Sequence, residues 1–306
     1  MDVTRKEFLG LTAAFGAALI LGAQVMAAPA PVAQRKIPKS GEMLPVIGLG
    51  TARTFDVEGT PEELAPRKEV LRRLFEGGGS VVDSAPSYGE AERIVGELLS
   101  SLGARDKAFI ATKITTRGDR DEGIQSMKDS ATRLKTDHFE LMQVHNLKNL
   151  KTHLKSIREL RDSEKTKYVG VTHFRPGAYD RLEKVLKSEP LDFVQLKYSL
   201  STREAEDRLL PLARDKGLAV LINRPYDLGR LFRAVKGKSL PPWAAEFGAE
   251  SWGQFFLKFI LGHDAVTCVI PGTRKPKHMT DNLGAGRGPL PNSKQRQQMI
   301  RFLEGL

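Results

Sequence analysis

Eight short β-branched runs, each followed by an amphipathic segment, predict a single-domain α/β protein folded as a (β/α)8 barrel. The repeats fill about 260 residues, the usual size of one such barrel, whereas a doubly wound open sheet usually stops at about five to seven strands. No linker rich in Pro, Gly or Ser divides the 306-residue chain. A composition of 40% hydrophobic and 28% charged residues suits one buried core and argues against disorder or repeated membrane crossing. The single cysteine, Cys268, excludes an intrachain disulfide and a Cys-rich zinc site.

Residues 1–27 read as an export signal: Arg5 and Lys6 precede a nearly uncharged run from Phe8 to Val25, and Val25 and Ala27 suit cleavage after Ala27. Thr4-Arg5-Lys6-Glu7-Phe8-Leu9 resembles the twin-arginine (Tat) export motif with Lys6 for its second arginine, which leaves the general secretory route open. The expected location is the periplasm; a membrane anchor left by an uncleaved signal and a cytoplasmic location are the alternatives. Residues 28–45 form an N-terminal segment in which Lys39-Ser40-Gly41-Glu42, flanked by apolar residues, predicts a hairpin plugging the barrel bottom. The barrel proper spans 46–306.

Its predicted strands are Val46–Thr51, Ser80–Ser84, Ala108–Ile114, Phe139–His145, Tyr168–Thr172, Phe193–Tyr198, Leu218–Asn223 and Val266–Pro271. The predicted helices are Glu62–Glu76, Ala91–Leu102, Gly123–Leu134, Leu150–Ser163, Tyr179–Leu186, Glu204–Asp215, Trp243–Leu261 and a last portion from Lys277 onward. Gly77 to Gly79, Gly103 and Gly217 mark helix ends. In this fold the chemistry sits at the C-terminal ends of the strands.

Asp83 ends the second strand with Tyr88 just beyond it, Lys113 lies in the third and His145 ends the fourth. An acid, a phenol, an ammonium and an imidazole thus meet at one mouth. Lys113 is expected to lower the Tyr88 pKa, Asp83 to hold the lysine charged, and His145 to donate to a carbonyl oxygen shared with Tyr88. Such a set suits carbonyl reduction with a hydride from elsewhere.

The segment Asp83-Ser84-Ala85-Pro86-Ser87-Tyr88-Gly89 with Glu92 and Val95-Gly96, together with Lys113 and His145, resembles the signature and catalytic tetrad of the aldo-keto reductase family. The resemblance covers nearly the whole chain after the leader and implies NADPH/NADP+ as cofactor, a small-molecule carbonyl substrate and Tyr88 as proton donor. It also implies that Gln195 binds the nicotinamide carboxamide, that Asn282 contacts adenine, and that Gly272, Thr273, Arg274 and His278 lie in the segment holding the 2′-phosphate. Thr172 and His173 stand where the family carries Ser-Asn, and Arg224 stands at the aromatic that stacks on nicotinamide. Arg53, Phe55, Phe232 and Trp243 are the candidate substrate-facing residues.

Two other readings fit the same residues: a metal-dependent hydrolase using Asp83, His145 and His173, and a cofactor-binding protein with little turnover. Against the metal, the first strand lacks a His-x-His pair, and a metal site has no use for Tyr88 and Lys113. The +11 charge lies outside the leader, whose acids and bases balance. Its basic run Lys148, Lys151, Lys155, Arg158 and Arg161 reads as a solvated helix face, and no nucleic-acid-binding motif accompanies it. The expected partners are a carbonyl compound and, through residues 1–27, the export machinery; the chain is expected to be a monomer.

Overall fold

A strand buried on both faces must serve two environments at once, and here the sequence alternates to do so. The computed structural model describes residues 30–306; the export-signal reading of residues 1–27 lies outside the described residues. A hairpin of β1 (Gln34–Lys36) and β2 (Met43–Pro45) precedes the barrel. The barrel strands are β3 (Leu49–Gly50), β4 (Val81–Asp83), β5 (Phe109–Ile114), β6 (Phe139–His145), β7 (Thr166–His173), β8 (Phe193–Lys197), β9 (Ala219–Asn223) and β10 (Cys268–Val269). They pair in parallel in sequence order, and bridges Ile47 to Val269 and Gly50 to Gly272 close the ring.

Alternate residues of each strand share one face. Val81, Phe109, Ala111, Leu141, Tyr168, Phe193, Ala219, Leu221 and Cys268 form an apolar cluster, into which Ile37 and Leu44 of the hairpin segment also pack. Continuing the same alternation toward the C-terminal ends gives Asp83, Lys113, Gln143, His145, Thr172, Gln195 and Asn223. One face is therefore apolar at the plugged end and polar at the open end. The intervening residues, among them Val82, Ile110, Met142, Val169 and Val194, belong to the larger cluster that receives the helices.

Close approach of the first strand to both of its neighbours explains the glycines of Gly48-Leu49-Gly50. A Cβ on Gly48 would meet the Val81 carbonyl oxygen at 2.9 Å, and one on Gly50 the Ile270 carbonyl oxygen at 2.8 Å. Only residues without side chains let the first strand approach β4 at Gly48 and the last strand at Gly50.

Outside the ring run α1 (Pro61–Glu76), α2 (Ala91–Leu102), α3 (Arg120–Leu134), α4 (Leu150–Asp162), α5 (Tyr179–Ser188), α6 (Leu209–Asp215), α7 (Arg230–Ala234), α8 (Trp252–Leu261), α9 (Pro276–Ala285) and α10 (Ser293–Glu304). Three predicted helices are corrected. The segment Glu204–Asp215 is helical only from Leu209, because Ser199 and Thr202 pair as a bridge and Glu206 is held by Tyr198 and Arg296. The segment Trp243–Leu261 breaks at Gly248, φ 66°, into a short 3-10 turn and α8, whose start is capped by Ser251. The final portion is two helices, the second opened by a reciprocal cap between Asn292 and Gln295.

Candidate active site

At the open end, Lys113 determines what surrounds it. Its side chain is 0% exposed, so all its ammonium donors need partners within the protein. They are Asp83 Oδ1 at 2.9 Å, Asp83 Oδ2 at 2.8 Å and the Ser84 carbonyl at 2.6 Å. Asp83 Oδ1 also accepts from Gln195 Nε2 at 2.7 Å. From the neighbouring strand, Thr51 Oγ1 donates to the Asp83 carbonyl at 2.9 Å and to Ser84 Oγ at 3.0 Å, fixing the strand end that carries the acid.

Tyr88 closes the turn after β4, its N–H donating to the Ala85 carbonyl at 3.0 Å. The Lys113 ammonium lies 5.0 Å from its ring centroid. The net effect on the phenol is opposite to the sequence expectation: burial pushes its pKa above the usual tyrosine value, with the Lys113 charge opposing that rise. Tyr88 is therefore a protonated donor held next to a cation. His145 stands edge-on to it, with ring centroids 6.1 Å apart. Burial, followed by the charges of Lys113, Lys148 and His173, depresses the imidazole pKa to about 3. In the tautomer that accepts from Ser87 Oγ through Nδ1 at 3.5 Å, the Nε2–H is free to donate.

Gln195 Oε1 accepts from Asn223 Nδ2 at 3.1 Å and Thr172 Oγ1 at 3.3 Å. His173 is partly exposed, and its Nδ1 accepts from the Arg175 N–H at 3.2 Å. Arg224 follows β9 with φ 52°, and its guanidinium lies 3.7 Å from the Phe174 ring centroid. Gly272 is the barrel-closing residue opposite Gly50. Thr273 is buried and accepts from the Lys275 N–H at 3.0 Å, while Arg274 and His278 are exposed around the start of α9. Asn282, on the buried side of that helix, accepts from the Tyr226 hydroxyl at 2.5 Å.

The candidate substrate-facing residues separate. Arg53 is exposed at the mouth, φ 62°, close enough for its charge to act on Arg224. Phe55 is corrected to core: it is 0% exposed and lines nothing open to solvent. Trp243 is also corrected, since it packs against Phe247, Phe255 and Phe302, an aromatic cluster shared with the last helix. Phe232 lies against Tyr226 at 4.8 Å between centroids, which puts it on the Asn282 side of the site.

Asn223 and Gln143 escaped sequence reasoning, although both lie at polar ends of strands whose alternation points them toward Gln195. Phe174 and Arg175 had no such signal, being loop residues. For a metal, Asp83 already serves Lys113 and Gln195, and among the described residues no group of His, Cys, Asp and Glu side chains could hold an ion.

A family model described as the Aldo/keto reductase family matches residues 46–298. Aldo-keto reductase YhdN of Bacillus subtilis (strain 168) is 31% identical over 192 residues, covering 58% of this chain; this chain thus spans 56% of that relative's length. Aldo-keto reductase str7 of Strobilurus tenacellus is 28% identical over 299 residues, covering 83% of this chain and 87% of its own. Among solved structures, an aldo-keto reductase from Klebsiella pneumoniae in complex with NADPH superposes with a TM-score of 0.74 at 21% identity, covering 90% of this chain and 96% of its own. An aldo/keto reductase from Brucella melitensis gives a TM-score of 0.68 at 22% identity, covering 88% and 99% respectively. These two likenesses bear on the fold.

Holding His145 neutral has a cost that depends on pH. With a folded pKa of about 3 against 6.5, the unfolded chain binds the extra proton between those values, so stability rises with pH across the window and is lost as pH falls through it. Between about pH 7 and pH 5 the wild-type protein should lose on the order of 1–2 kcal/mol that His145→Gln does not lose. Denaturant unfolding of both at the two pH values checks this; equal losses would contradict the neutral imidazole.

Proposed function

The chain belongs to the aldo/keto reductase family, and on that premise we propose that it is an NADPH-dependent oxidoreductase that reduces an aldehyde or ketone to an alcohol, with Tyr88 as proton donor. The observation that carries the proposal is the buried, protonated Tyr88 beside an ammonium that Asp83 fixes in place. Bound NADPH supplies the hydride; the rest of the chemistry falls to side chains of this chain.

The residues present suit the nucleotide. Around Gln195, the buried Asn223 Oδ1 has no donor and the buried Gln143 Nε2 no acceptor, leaving an acceptor and a donor spare where a primary amide offers both. Gln195, with Thr172 and His173, would hold the carboxamide. The start of α9, flanked by Arg274, Lys275, Lys277 and His278, offers a helix N-terminus and cations to the 2′-phosphate. Thr273 fixes that start, Gly272 lets the chain pass close, and Asn282 lies along the helix for the adenine. The NADPH complex of the Klebsiella pneumoniae relative supports this choice of cofactor.

Tyr88 and His145 would bind one carbonyl oxygen from two sides. The neutral imidazole donates without releasing its proton, so it orients the substrate and polarises the carbonyl bond. The phenol proton moves to the oxygen as negative charge develops there. The resulting phenolate lies next to Lys113, whose charge opposes the cost of forming it in a buried site. Asp83 is a positioning residue, keeping the ammonium beneath the ring.

We further propose that residues 1–27 direct export to the periplasm, the twin-arginine route being able to carry a folded chain with nucleotide bound. N-terminal sequencing of protein recovered from the periplasm should begin at Ala28; recovery from the cytoplasm with Met1 intact would refute it.

Replacing Tyr88 by Phe removes the proton and keeps the ring. Tyr88→Phe should lower kcat with a reactive aldehyde by about 10²–10⁴ while NADPH binding, followed by its fluorescence, is retained. Wild-type turnover by the variant would sink the proposed role.

A further inference from the structure

Arg53, Arg175 and Arg224 come from loops that follow β3, β7 and β9, far apart in sequence but all at the open, C-terminal end of the barrel. Arg224 and Arg175 share the Phe174 ring, at 3.7 Å and 5.3 Å from its centroid. Arg53 and Arg175 both lie near enough to Arg224 to add to the effect of burial in lowering its pKa. Across the mouth Lys148 extends the same sign toward His145, its ammonium on the Thr115 carbonyl at 2.7 Å.

No acid forms a salt bridge with them. Among the described residues, no carboxylate lies within 4.0 Å of Arg53, Arg175, Arg224 or Lys148. Asp227, the acid that acts on Arg224, is bound by Lys197 at 2.7 Å and by Arg230 at 2.7 Å. Asp83 is bound by Lys113. Arg53 and Arg224 also adopt φ of 62° and 52°, where a long side chain is disfavoured and glycine is at ease. Like charges are thus gathered against their repulsion, two of them in a backbone that does not favour arginine. The candidate 2′-phosphate residue Arg274 is not among them; its charge acts on Arg67 instead.

We propose that the substrate is an anionic carbonyl compound, an aldehyde or ketone whose carboxylate or phosphate group is held by Arg53, Arg175 and Arg224 while its carbonyl oxygen meets Tyr88. Of the three arginines, Arg224 is the one whose charge acts on the Tyr88 phenol. Stacking on Phe174 fixes its plane and leaves its N–H edge for the anion. Arg53 and Arg175 are exposed and set the distance at which the anion is tolerated. The inference rests on the reductase reading and names the substrate class for the same site.

The test compares kcat/KM for 4-carboxybenzaldehyde with that for its neutral methyl ester, and for glyceraldehyde 3-phosphate with that for glyceraldehyde. The wild-type protein should prefer at least one anionic member by about tenfold or more, the scale of one charge-assisted contact, and the pair that shows it identifies carboxylate or phosphate as the group held. Arg53→Gln and Arg175→Gln, both at exposed positions, should each shrink that preference, and their combination should bring it near unity with NADPH affinity retained. Equal or better use of the neutral members by the wild-type protein would overturn the proposal. So would a combined variant that loses NADPH affinity and both members of a pair alike, because the arginines would then serve the nucleotide's own phosphates. If no carbonyl is reduced at all, the reductase reading fails, and calorimetry of benzoate and of inorganic phosphate with the NADP+-saturated protein still decides the anion site: binding that the combined variant loses sustains it, and absent binding refutes it.

Discussion

A lysine ammonium sealed inside a barrel must be neutralised where it stands, and the pairing of Lys113 with Asp83 does so. Removing one partner of such a buried pair typically costs about 3–5 kcal/mol, since the other charge is left without water or counterion. The pair is also the hub of the polar end. Asp83 orients Gln195, Gln195 collects Thr172 and Asn223, and Lys113 lies under Tyr88. Strand pairing brings these residues together, and the ion pair fixes their directions.

This arrangement needs a ring that is dry at one end and open at the other. Ile37 and Leu44 join the apolar cluster of the lower strand residues, and glycines let the first and last strands close. A wet lower end would let water screen the ion pair and weaken its effect on the phenol. The inward-facing strand residues therefore divide the work by height, apolar below and polar above. Electrostatics at the mouth follow from the same division: a buried imidazole stays neutral, a buried phenol stays protonated, and Arg53 and Arg175 stand where solvent reaches them.

Much of this was legible in the sequence. The β-branched runs of 80–84, 108–114 and 139–145 contain strands, and Asp83, Lys113 and His145 fall at their open ends as the spacing indicated. Helix continuity was less legible, because the apolar pattern of 243–261 runs through Gly248, whose left-handed backbone ends one turn before Ser251 starts another. The direction of the Tyr88 shift was not legible, for it turns on the balance of burial against one charge, and burial is a tertiary quantity. Phe55 and Trp243 show the same limit: a position next to a strand end or in a long loop does not say which way a ring turns. Nor could it be seen that Arg175 and Arg224, from separate loops, share the Phe174 ring with the charge of Arg53 acting on Arg224.

The proposed chemistry draws the reductive proton from a neutral Tyr88 beside a fixed ammonium, with His145 donating as a neutral ring. The pH profile of kcat/KM for carbonyl reduction measures the protonation states of those groups in the free enzyme. That profile should be flat from about pH 5 to pH 8, with a single fall in the alkaline range of a buried tyrosine, at or above about pH 10. A limb near pH 6.5 that vanishes in His145→Gln would put the working proton on an imidazolium and contradict it.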